Sequence, residues 1–142
     1  MTAPEGNLES LRRLYEAGEK AGIEGRWELI DEIFDPEVEF SPLLAREVEG
    51  RSYHGRDGMR TFFGELHDAL GEYHYERPEY RSFGDDLIVV ITRLVGTGRG
   101  SSVPIGQELA IVCEFHAGRI RRLTAYGSRE EALEAAQGAQ RA

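Results

Sequence analysis

Three residues could do polar chemistry in apolar company: Tyr15, Glu79 and Arg93. Tyr15 shares a stripe with Leu8, Leu11 and Leu14 at helical spacings of three and four, so its ring is expected to face inward. A hydroxyl placed there needs a partner. Arg93 alternates with Val89, Ile91 and Val95, which predicts a guanidinium in an apolar surround unless the strand twists past the core there. Such a group requires a carboxylate, and Glu79 on the preceding strand is the expected partner. That pair could orient a ligand oxygen, and Glu79 alone could serve as a general base. The expectation is one cavity bordered by Tyr15, Glu79 and Arg93 as its catalytic set.

Other side chains carry weaker signals. Gln107 could hydrogen-bond a ligand near a pocket mouth. Cys113, in mid-strand and facing inward, reads as a small hydrophobe and not a nucleophile. His54, His67, His74 and His116 lack metal-ligand spacing, so no metal is expected. Gly96-Thr-Gly-Arg-Gly100 runs into Ser101 and Ser102, not into a helix, so it is no phosphate loop, and no cofactor is implied.

Positioning these residues falls to a strand-rich C-terminal half. Strands are expected over Leu87 to Gly98, Ile105 to His116 and Arg119 to Tyr126. Their connections are short or glycine-rich, which makes them antiparallel. Before them, Glu72 to Phe83 reads as a strand with Tyr73, Tyr75, Arg77, Glu79, Arg81 and Phe83 on one face. Pro78 makes it bent, bulged or an edge. In the third long strand Gln107, Leu109, Ile111, Cys113 and Phe115 share a face.

The N-terminal half reads as helices. Asn7 would cap one running to about Ala21. A second covers about Arg26 to Phe34, with Trp27 inward, and is closed by Asp35-Pro36. A short strand, Glu37 to Pro42, carries Val38 and Phe40 on one side. Leu43 to Tyr53 reads as loop with a possible strand near Arg46 to Glu49. From Gly55 to about Leu70 an amphipathic helix buries Met59, Phe62, Phe63 and Leu66, and Gly71 would end it. Ser128 to Glu131 is a capping box opening a last helix, with Gly138 to Ala142 fraying.

The bulk properties narrow the classes. The 142 residues suit one domain, with a core over about residues 8–136. A net charge of -9 argues against nucleic acid as a partner. The arginines at 119, 121 and 122 then read as a solvated face. No apolar run approaches membrane-spanning length, and the first seven residues lack a signal-like pattern, so neither a membrane nor a secretory route is expected. With a single cysteine, a cytoplasmic location is the simpler reading. The strand from Leu87 to Gly98 is apolar on both faces. Its Ile88, Val90 and Leu94 are expected to lie outward and to pair two copies in a homodimer.

The order helix, helix, short strand, helix, four long strands resembles the nuclear-transport-factor-2-like superfamily, and within it the SnoaL-like family. The likeness spans roughly Leu8 to Ala136. It is carried by Gly25-Arg-Trp-Glu-Leu-Ile30, Asp35-Pro-Glu-Val-Glu-Phe40, Tyr53-His-Gly-Arg-Asp-Gly58, Gly84-Asp-Asp-Leu-Ile-Val89 and Gly118-Arg-Ile-Arg-Arg-Leu123. Further matches are Gly96-Thr-Gly-Arg-Gly-Ser101 and Ser128-Arg-Glu-Glu-Ala-Leu-Glu-Ala-Ala136. The resemblance implies an α+β domain, a cone-shaped curved antiparallel sheet wrapped around the N-terminal helices with an open pocket. It does not imply one activity, because the superfamily holds isomerases, cyclases and binding proteins.

Ketosteroid isomerases of this superfamily use an inward tyrosine, an aspartate base and a protonated aspartate. Tyr15 matches the tyrosine, but the base falls at Phe40 or Ser41 and the second acid near Ile111. The resemblance therefore leads first to a domain binding a small apolar molecule. The pocket would be lined by Tyr15, Trp27, Phe40, Phe62, Tyr75, Gln107, Ile111, Cys113 and Phe115. The alternative is a lyase, isomerase or cyclase acting on a polyketide-like or terpenoid-like molecule.

Overall fold

Six strands form one sheet in the computed structural model, which describes residues 3–16, 29–42, 52–98, 100 and 104–141. In chain order they are β1 (Phe34–Ser41), β2 (Tyr53–His54), β3 (Leu70–Ser82), β4 (Leu87–Gly98), β5 (Pro104–His116) and β6 (Arg119–Tyr126). Across the sheet the order is β2-β1-β6-β5-β4-β3. The four long strands pair antiparallel as expected, while β1 joins β6 in parallel and makes the sheet mixed. The described helices are α1 (Ala3–Glu16), α2 (Gly55–Ala69) and α3 (Arg129–Arg141), with a further helical stretch at 29–33. This is the α+β arrangement with an open, curved sheet.

Several boundaries differ from the sequence reading, each for a local reason. Asn7 is not a cap: α1 begins at Ala3, with Pro4 in the first turn, where a missing amide is harmless. Asn7 is instead buried and donates from Nδ2 to the Asp85 carbonyl at 3.1 Å, fastening α1 to the turn between β3 and β4. β1 starts at Phe34, before Pro36 and not after it, because Phe34 is already in register with Ile120. Helix α2 needs no glycine stop. Leu70 is extended, with φ -116 and ψ 139, while its N–H still bonds the Leu66 carbonyl, and Gly71 lies inside β3. The last helix continues to Arg141. The possible strand near 46–49 and the helix from 26 to 28 lie outside the described residues.

The turns follow their chemistry. Ala117 and Gly118 both have positive φ, 51 and 82, the geometry whose twist matches a tight antiparallel hairpin. At the start of α3 the Glu131 N–H donates to Ser128 Oγ at 3.2 Å. The hydroxyl also meets the Glu131 carboxylate, at 3.3 Å, so the reciprocal contact goes to the side chain.

A bulge in β3 decides which side chains reach the interior. Glu76 pairs with Arg93 and Glu79 with Ile91, so Arg77 and Pro78 together oppose Thr92 alone. Arg77 takes φ 41, and Thr92 Oγ1 donates to the Glu76 carbonyl at 2.8 Å, satisfying the kinked backbone. One extra residue exchanges the faces of everything beyond it. Tyr75 therefore faces inward, Glu79 and Arg81 face out, and Tyr80 turns in to pack on the core.

Each face of the sheet has its own cover. On the inner face Ile88, Val90, Ile111, Cys113, Leu123 and Ala125 pack with Leu11, Leu14 and Tyr15 of α1 and Met59 and Phe63 of α2. On the outer face Leu87, Val89, Ala110 and Val112 pack with Ala132 and Ala136 of α3. These faces of β4 are the reverse of those its sequence predicts. Ile88, Val90 and Leu94 are the inner set, so the apolar patch that motivated a homodimer is core and cavity wall.

Candidate functional site

The inner face does not fill the space it encloses. A cavity of about 430 Å³ remains between sheet and helices. Helix α1 gives it Leu14 and Tyr15, and α2 gives Met59, Phe62, Phe63 and Leu66. From the strands come Phe34 and Phe40 of β1, Tyr75 of β3, Leu94 of β4, Gln107, Leu109 and Ile111 of β5, and Leu123 and Ala125 of β6, with Pro42 following β1. Local sequence explains the wall. Alternation on β5 and β6 turns every second side chain inward, and the period of α2 aims its aromatic stripe at the same space.

Aromatic contacts set the shape. Tyr15 meets Tyr75 edge-on, with centroids 4.8 Å apart and planes at 79°. Phe62 stands against Phe40 at 4.7 Å and 87°, and against its neighbour Phe63 at 5.4 Å and 63°. These are favoured edge-to-face geometries, so the rings brace one another across helix and strand.

Strand registers order the wall from rim to floor. Tyr75, Leu94 and Gln107 form one row across β3, β4 and β5. Tyr75 and Leu94 are half-buried and Gln107 is exposed, so this row is the mouth. Val90, Ile111 and Ala125 form a buried row further in, and Ile88, Cys113, Leu123 and Phe40 another beyond it. Polarity falls along the strands: the lining amide is at the rim and the deeper rows are hydrocarbon, aromatic ring and thiol.

Of the residues expected at the site, Tyr15, Phe40, Phe62, Tyr75, Gln107 and Ile111 line this cavity. Cys113 and Phe115 are buried in the core but are not among the lining residues. Burial pushes the Cys113 thiol pKa up, away from the thiolate a nucleophile needs. Trp27 lies outside the described residues.

Glu79 and Arg93 are not in the cavity, and the expectation that they border it with Tyr15 fails. Glu79 accepts from Arg81 Nε at 3.0 Å and from Arg129 Nη2 at 2.6 Å, which ties the outer face of β3 to α3. Arg93 is exposed on the outer face, beside a separate hollow with Glu108, Ser128 and Arg129. Its guanidinium lies over Gly106, where any Cβ would collide with it. The physical cause is twofold. A strand apolar on both faces does not declare its inner one, and the bulge at Arg77 and Pro78 turns Glu79 away.

Leu94, Leu109, Leu123 and Ala125 are wall residues the sequence reading did not place in a pocket. The usable signal was pairing: β5 alternates cleanly, and aligning Leu94 with Gln107 carries Leu94 to the inner face. Among the described residues no three His, Cys, Asp or Glu side chains converge as a metal site. No helix of the described residues is long and apolar enough to cross a membrane.

Residues 11–123 match the sequence pattern of the SnoaL-like domain family. A candidate SnoaL-like polyketide cyclase from Jannaschia sp. CCS1 superposes with a TM-score of 0.72 at 17% identity, covering 96% of this chain and 94% of that one. Bal32a, from a soil-derived mobile gene cassette, gives 0.73 at 21% identity over 94% and 98%. TerC, crystallised with polyporic acid, gives 0.68 at 19% identity over 93% and 98%. At these identities the likeness is one of fold. No curated protein shows a significant sequence match.

Proposed function

The chain belongs to the SnoaL-like domain family, and on that premise we propose that it binds a small apolar molecule in the inner cavity without acid–base chemistry at the wall. One observation carries the reading. Among the described residues, none that lines the cavity bears a carboxylate, imidazole, ammonium or guanidinium group. A general base must lie within hydrogen-bond reach of the proton it takes, and the described wall offers no carboxylate or imidazole for that role. Its volume of about 430 Å³ suits a small molecule, since such sites run to roughly 300–1,000 Å³. TerC, which has the same fold, was crystallised with a small molecule, polyporic acid.

The second reading is a lyase, isomerase or cyclase for a polyketide-like or terpenoid-like substrate. It is favoured by the phenol of Tyr15 on the wall and by the relative from Jannaschia. A panel of such ketones that shows no turnover removes it. A cytoplasmic location rests on the lone, buried Cys113. A homodimer has lost its apolar argument, and sedimentation at micromolar concentration decides it.

Adjacent residues on opposite faces test the binding site. Leu94→Glu places a charge on the wall and is expected to weaken a neutral fluorescent probe, N-phenyl-1-naphthylamine, on the order of tenfold. Arg93→Met, on the outer face, should leave the titration unchanged. If Arg93→Met abolishes binding and Leu94→Glu does not, the cavity is not the site.

A further inference from the structure

The gradient of polarity inside the cavity specifies its occupant more closely than "apolar". This step rests on the binding reading above. We propose that the cavity takes an uncharged, elongated amphiphile, apolar end first, and that Gln107 holds the ligand's single hydrogen-bonding end at the mouth.

Charge is excluded by the wall itself. A carboxylate or ammonium drawn into the cavity would lose its water and find no opposite charge among the described lining residues. A neutral ligand loses little on the same transfer. Shape follows from register. Gln107 stands in the exposed row and Ile111 in a buried row four residues further along β5. At about 3.3 Å per residue the two rows are about 13 Å apart, which calls for an elongated molecule, not a compact one.

Orientation follows from where the polar atoms are. The rows holding Ile111 and Leu123 offer no hydrogen-bonding side chain to a ligand, since the Cys113 thiol is buried in the core and does not line the cavity. A hydroxyl or amide placed against those rows would face hydrocarbon, whereas at the mouth row it meets the Gln107 carboxamide, with the Tyr15 ring packed on Tyr75 of the same row. Gln107 donates one Nε2 hydrogen to the Glu108 carbonyl at 3.1 Å. A carboxamide carries a second N–H and an acceptor oxygen, so it can serve an alcohol as donor or acceptor. The class is therefore the neutral alcohols and amides with an apolar chain or fused-ring body.

A matched set of probes tests this. Decanol, decanoate and decylammonium share a chain and differ in the charge of their heads. Each competes against N-phenyl-1-naphthylamine at pH 8 on the wild-type protein and on Gln107→Leu. Decanol should displace the reporter, and both ions should be on the order of a hundredfold weaker. Gln107→Leu, on which the reporter's own affinity is measured first by direct titration, should weaken decanol roughly threefold to tenfold relative to the reporter. If decanoate or decylammonium matches decanol, the neutral-ligand inference is wrong while the binding reading stands. If Gln107→Leu leaves decanol unaffected, the assignment of the polar end is wrong. A reporter that never binds removes the binding reading, and this inference with it.

Discussion

Cys113 is fully buried between Ile88 and Leu123, its cross-strand neighbours, and burial holds its thiol protonated. Its inward direction was legible in the β5 alternation, and its chemistry follows from that direction. In the unfolded chain the thiol ionises near about 8.5, whereas the folded pKa is raised. The stability this group supports is complete below the unfolded value and is lost as pH rises above it. The slope approaches about 1.4 kcal/mol per pH unit. Cys113→Val keeps an apolar side chain and removes the proton. Between pH 7 and pH 9.5 the wild-type protein should lose about 1.4 kcal/mol more than the variant. Equal losses in denaturant melts would mean that this thiol titrates alike in both states. Arg93 was the opposite case: its type and apolar neighbours pointed inward, and only its strand partners reveal that it faces out.

At the scale of elements, β4, β5 and β6 lie within one residue of where alternation and turn chemistry put them. The amphipathic stripe of α2 likewise named Met59, Phe62 and Phe63 as inward. What stayed hidden was non-local. Pro78 announced a bulge, bend or edge, and β3 has both a bulge and an edge position. Yet sequence alone does not say that Arg77 and Pro78 together face one residue of β4, which is what turns Glu79 outward. Asn7 shows the same limit, since its partner at Asp85 is 78 residues away. The bulge is held by a side chain, and this can be tested. Thr92→Val keeps the branched shape and deletes the hydroxyl that serves the Glu76 carbonyl. It should cost about 1 kcal/mol in a denaturant melt. A larger loss accompanied by lost reporter binding would mean that the bulge also sets the wall through Tyr75. No change at all would mean that the kink is kept by Pro78 alone.

The whole molecule is a sheet with two different covers, and the functional division follows from them. The inner cover of α1 and α2 meets the sheet over aromatic side chains and leaves a cavity. The outer cover, α3, meets it through the small side chains of Ala132 and Ala136, which approach closely over Val89 and Val112. The anchors of α3 are the Ser128 cap and the Arg129 contact to Glu79. Glu79, expected from sequence to pair with Arg93 at a catalytic site, thus helps to close the outer face. Sequence could not separate the covers, because β4 carries apolar residues on both sides and a buried strand reads alike from either. If α3 is only a cover, a chain ending after Tyr126 should keep the cavity but expose Leu87, Val89, Ala110 and Val112 to water. A contiguous apolar patch of that kind drives association. The truncated chain is therefore expected to sediment as dimers or larger species at micromolar concentration, while still binding N-phenyl-1-naphthylamine in the inner cavity. A truncated chain that stays monomeric with a native melt would show that the outer face needs no cover. One that self-associates but no longer binds the probe would show that α3 supports the cavity through the sheet.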